Sequence, residues 1–123
     1  MSAPPYNSRE TQPAVITHDV RLLGTGAAVP TAVLASGITV TRDGVGIYTL
    51  TWSANPGVWM GSTGSGFQAT TSADVKGCSV SWGVFNTTTY AVQFKVWDVT
   101  GAARELGVLE WLSFGLKFKN TGV

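Results

Sequence analysis

The sequence predicts an all-β protein: an antiparallel β-sandwich, a jelly roll of about eight strands. Three observations lead there. Several segments alternate apolar and polar residues, most clearly Leu112–Lys119, where Leu112, Phe114, Leu116 and Phe118 share one face. Gly, Pro and Asn interrupt the chain at short intervals, as turns between short strands require. Helical spacing occurs only over residues 100–112, at Leu106, Leu109 and Leu112. Gly107 interrupts it, leaving about one or two turns at most. An immunoglobulin-like sandwich is the alternative, but the Cys…Trp…Cys spacing of a true immunoglobulin domain is absent.

The elements follow in order. Residues 1–13 are polar, hold three Pro and lack periodicity, so they read as an extended N-terminal arm, with Pro4-Pro5 favouring a polyproline-like course. The sandwich domain is 14–123. Its first strand, Ala14–Leu23, puts Ile16, His18, Val20 and Leu22 on one face and Val15, Thr17, Asp19, Arg21 and Leu23 on the other. Ile38–Thr41 is a short strand, and Asp43-Gly44 turns it into Val45–Trp52. Asn55-Pro56-Gly57 is a turn, Val58–Met60 a short extended piece, Gly61–Gly66 a loop and Phe67–Thr71 a modest strand. Residues 73–77 turn the chain into Cys78–Phe85, where Val80, Trp82 and Val84 share a face. Beyond a turn at 86–88, Tyr90, Val92, Phe94 and Val96 alternate with Ala91, Gln93, Lys95 and Trp97.

Composition narrows the function. The 123 residues suit one domain with its own core. Charged residues are only 12%, about half the usual share, and the net charge is +1 with no block of either sign. A nucleic-acid partner would need a basic stripe, so none is expected. No apolar run is long enough to span a membrane, and no signal-like start precedes the first strand. Synthesis and folding in a cytoplasm are the expectation, with carriage elsewhere as part of an assembly. Five Trp on a low-charge chain point to contact with a protein partner.

Catalytic chemistry finds little purchase. His18 sits mid-strand and reads as a satisfied strand histidine, and Cys78 as a small buried thiol. One His and one Cys do not make a transition-metal site, so no metal or cofactor is expected. Gly61–Gly66 lacks the Lys and helix of a phosphate loop. Seven acids are scattered, mostly at turns, so a glycosidase-like carboxylate pair is not indicated. A non-enzymatic binding or structural protein is expected.

Three segments resemble a family. Gly37–Trp52 (GITVTRDGVGIYTLTW), Phe67–Gly77 (FQATTSADVKG) and the closing Trp111–Val123 (WLSFGLKFKNTGV) are similar to small virion proteins of tailed phages. That group is similar in shape to C1q and tumour-necrosis-factor jelly rolls. The resemblance implies a homotrimer that sits on a virion as capsid cement or decoration, with the major capsid protein of a phage as partner. The absence of a Gly-X-Y repeat disfavours a stalked secreted protein.

Candidate contact residues follow. Tyr6, Arg9 and Pro13 of the arm are the capsid-contact candidates. Trp82 and Trp97 are the oligomer-contact candidates, although Trp82 shares its face with Val80 and also fits the core, whereas Trp97 lies opposite the Tyr90–Val96 face. The alternative function is a receptor- or glycan-binding tip of a phage tail fibre. It would use the loop from Trp59 to Phe67, where aromatics beside Gly and Ser suit sugar stacking. Trp59 as a cap on the sandwich is the simpler role for that residue.

Overall fold

The computed structural model describes residues 8–12, 15–34, 37–68, 79–108 and 110–119. Among them are nine strands and no helix: β1 Ser8–Gln12, β2 Val15–Leu23, β3 Thr31–Leu34, β4 Ile38–Gly44, β5 Ile47–Trp52, β6 Val58–Gln68, β7 Ser79–Trp82, β8 Ala91–Trp97 and β9 Trp111–Lys119. One sheet has the order β1-β2-β9-β6, with β3 also paired to β2; the other has β4-β5-β8-β7. All the pairings are antiparallel. The β-sandwich expected from the alternating segments is the fold.

The pairings are nested. β2 pairs with β9, β5 pairs with β8, and β6 and β7 form the innermost edges, one in each sheet. That is a ribbon rolled upon itself, the winding of a jelly roll. β9 is central to its sheet, between β2 and β6, so its period-two pattern is the cleanest: Leu112, Phe114, Leu116 and Phe118 are all buried. Opposite it, Tyr48, Leu50 and Trp52 of β5 and Val92, Phe94 and Val96 of β8 supply the second half of the core.

Four local expectations change. Ser8–Gln12 lies within the expected free arm, yet it pairs with Val15–His18 along the edge of β2. β3 continues that edge against Arg21–Leu23. Ladder hydrogen bonds need backbone rather than side-chain pattern, so a polar, aperiodic SRETQ still makes a strand. Arg9 is a backbone position of β1, while Tyr6 and Pro13 lie outside the described residues, as do the 73–77 turn and Cys78.

The second change is Gly61–Gly66, which is strand rather than loop. It lies inside β6, whose register against β9 slips between Trp59 and Gly61 and again between Ser62 and Ser65. Gly61 takes φ +104° there. Bulges accommodate the extra residues without ending the strand, and small residues leave no side-chain signal of it.

The third is 100–112, which has no helix among its described residues. Its donors are taken elsewhere: Arg104 N–H bonds Val96 O at 3.0 Å and Leu106 N–H bonds the Tyr48 hydroxyl at 2.9 Å. The fourth is Val84. β7 ends at Trp82, the alternation slips, and Phe85 turns inward while Val84 is 93% exposed.

Candidate functional site

Two ends of the sandwich differ in chemistry. At one, the 98–110 loop crosses the gap between the sheets. Glu105 accepts two hydrogen bonds from the Arg42 guanidinium and one from Gly46 N–H. The Arg42 contact holds the Glu105 carboxyl below its ordinary range. Glu110, itself buried, accepts from Arg104 and from Gly107 N–H. Leu106 plugs the gap, fully buried. Gly24 and Gly46 permit this approach: a Cβ on Gly24 would stand 2.1 Å from Gly107 O, and one on Gly46 2.5 Å from Arg104 O.

At the other end the gap is filled by rings. Trp59 of β6 stacks on Phe85 with centroids 5.8 Å apart and planes 4° apart. It also meets Trp82 at 5.9 Å and the edge of Phe118 at 5.4 Å. Phe118 touches Trp52 and Phe85 as well. Edge-to-face contacts of this kind add to the apolar burial that dominates the cluster.

His18 belongs to this cluster. It is buried, its Nδ1 accepts the Trp52 indole N–H at 2.8 Å, and its ring lies 5.1 Å from Phe118. Burial pushes its pKa down to about 4, against the opposing pull of Asp19. The imidazole is therefore neutral at physiological pH and acts as a hydrogen-bond acceptor inside the core.

The ring cluster opens to solvent through a cleft of about 560 Å³. One wall is Asn55, Gly57, Val58 and Trp59; the other is Gly83, Val84, Phe85 and Thr87. The volume falls in the range of small-ligand sites. Both walls are fixed by local hydrogen bonds. Asn55 Oδ1 accepts from Gly57 N–H at 3.0 Å, while Asn86 Oδ1 accepts from Thr88 N–H and Thr89 N–H. The loop after Asn86 returns through Tyr90 at φ +55°, an unfavourable conformation for a non-glycine residue. Among the described residues, no charged side chain lines the cleft.

The candidate residues from the sequence scatter. Trp59 and Phe67 sit at opposite ends of β6, paired with Phe118 and Leu112 respectively. They do not form one loop surface. Phe67 lies instead beneath the Arg104 guanidinium, 5.1 Å from its ring centroid. Trp82 packs inward on Phe94 and Phe114 at 5.1 and 5.0 Å, which is the core role. Trp97 is on the outer face, half-buried, with its indole N–H donated to Ser81 Oγ at 2.8 Å and the Lys95 ammonium over its ring.

Sequence reasoning missed Phe85, Val84 and Thr87 as site residues. Val84 and Phe85 read as the end of a strand and Thr87 as part of a turn; nothing local says that they face the Asn55-Pro56-Gly57 turn across the gap. Among the described residues, no three His, Cys, Asp or Glu side chains group as a metal site. No protein-family model, curated protein or solved structure matches the chain.

Proposed function

We propose that the chain is a non-enzymatic virion structural protein, a cement or decoration protein that bridges subunits of a phage capsid as a small oligomer, a trimer. The resemblance of Gly37–Trp52 and of the closing strand to small phage virion proteins supplies the setting. The observation that carries the bridging role is the placement of exposed apolar side chains at both ends of a rigid frame. Val45, Val99 and Val108 are more than half exposed at the end closed by the 98–110 loop. Val58, Met60 and Val84 are at least half exposed at the cleft end.

In the β2–β9–β6 register, Leu23, Trp111 and Gln68 mark one end and Val15, Lys119 and Val58 the other. The eight steps along β2 span about 27 Å at the rise of a strand. Apolar contact at two separated ends lets one molecule hold two neighbours, with affinity from buried area rather than ion pairs. The acids support the reading. Glu105 and Glu110 clasp the loop, Asp43 bonds Thr49 and Gln93, and Asp98 organises its own turn through Thr100 and Ala102.

The test is light scattering of the pure protein, then sedimentation with assembled capsids. A trimer that co-sediments, and that stays in the supernatant once Val45→Asp and Val99→Asp are combined, is the expected result. Wild-type protein left in the supernatant overturns the reading.

A further inference from the structure

The cleft has donors and rings but no charge, and this chain carries a segment of matching chemistry. We infer that the Trp59–Phe85 cleft binds the Ala3-Pro4-Pro5-Tyr6 segment of a second copy of the chain, so that copies are linked arm to cleft. This goes beyond the capsid reading and does not depend on it.

The cleft's chemistry comes first. The indole N–H groups of Trp52 and Trp97 are donated to His18 and Ser81. That of Trp59 has no partner among the described residues. Among the described residues no buried side-chain polar atom lacks a hydrogen bond, so the Trp59 N–H reaches the accessible surface. Asn55 has its Oδ1 committed to Gly57 N–H, which leaves its NH₂ as the available group. A floor of Trp and Phe with a few donors is what a polyproline segment requires: its rings pack on aromatics and its exposed carbonyls accept. Pro4-Pro5 is the only Pro-Pro pair in the 123 residues. A saccharide would call for a denser polar lining than Asn55 and Thr87 provide.

Register then selects a second copy over the same one. Gln12 pairs with Val15, on the level of Lys119 and Val58, which is the cleft level. Ser8 pairs with His18, on the level of Leu116 and Ser62. Followed back from Gln12 to Ser8, the chain therefore heads away from its own cleft. It also lies on the far edge of the sheet, three strand spacings or about 14 Å from β6. The segment starts five positions before Ser8. To fill its own cleft it would have to reverse at once and spend its whole reach of about 17 Å on crossing back. A neighbour's cleft can be met without that reversal.

The experiment is sedimentation velocity of the full chain over a concentration series, without capsids. The partners are a Pro4→Gly/Pro5→Gly double variant, a Val84→Arg variant, and wild type with an excess of a peptide of residues 1–8. Val84 is 93% exposed, so its replacement leaves the fold intact, checked by an unchanged Tm. Wild type should self-associate, and each change should raise the concentration of half-assembly by about tenfold or more. A wild type that remains a single chain at every concentration overturns the inference. So does an assembly that the proline variant leaves at full strength, which would assign the cleft to another occupant. Co-sedimentation with capsids is read separately from either failure, and a wild type that stays a single chain removes the trimer as well.

Discussion

At one end the 98–110 loop ties the sheets by hydrogen bonds, through Glu105 and the Tyr48 hydroxyl to the β4–β5 side and through Gly24 N–H and Gly26 N–H to the β2 side; at the cleft end the sheets are joined by rings. The first arrangement depends on direction. Glu105 must meet both Arg42 and Gly46, and a loop pinned at so many points is left with a single path. The ring cluster depends on area and shape, and its contacts include stacked, tilted and edge-on pairs. A polar clasp seals its end, whereas large rings reach their packing limit before the edges of β6 and β7 meet, and a cleft remains. The part of the molecule held by the least directional forces is the part left open.

That contrast can be broken at its centre. Phe118→Ala removes the ring shared by His18, Trp52, Trp59 and Phe85 and should destabilise the protein by about 3–5 kcal/mol in urea unfolding. A loss below about 1 kcal/mol would mean that the cluster is not what holds this end together.

The next largest effect is one of pH. His18 has a folded pKa of about 4 against an ordinary value of 6.5. Between those values the unfolded chain binds a proton that the native state does not. Stability from this group is thus complete above about pH 6.5 and falls as pH drops toward 4, by about 2–3 kcal/mol in all. Urea midpoints across that window should fall for wild type. In His18→Asn, weaker at neutral pH, the slope due to this residue should be gone.

At the polar end, Tyr48→Phe leaves the buried Leu106 N–H without its acceptor and should cost about 1–3 kcal/mol by the same assay. Glu105→Gln is expected to give the smallest change, a lowered Tm at neutral pH, because the pair with Arg42 is partly exposed. Its carboxyl is held below the ordinary range, so its contribution is present at neutral pH and is lost only as pH falls below about 4.5. The two ends therefore weaken in different pH windows, the ring end first. A wild-type acid profile with one transition confined below pH 4 would contradict that order.

Much of the frame could be read from side-chain pattern. Wherever a strand has one face on the core, as in β5, β8 and most of β9, burial imposes a period of two and the sequence displays it. β1 and β6 escaped for a common reason. Their pairing is made by backbone groups, and polar SRETQ or small GSTGSG records no such period. Residues 100–112 misled differently: Leu106 and its neighbours have helical spacing, but the Tyr48 hydroxyl and the Glu110 carboxylate take the N–H groups that a helix would have used.

The sequence by itself determined the all-β class, which residues of the long strands share a face, His18 with Val20 and Leu22 among them, and the outward Trp97. These depend only on residues a few positions apart. Tertiary structure decided that Trp59 would join Phe85 rather than Phe67, that Trp82 would face inward, and that the turns at Asn55 and Asn86 would flank one cleft. Those outcomes depend on which edges the roll of the ribbon brings together. That is set by the pairing of β6 with β9 and of β7 with β8, contacts between segments far apart in the chain that no local spacing encodes.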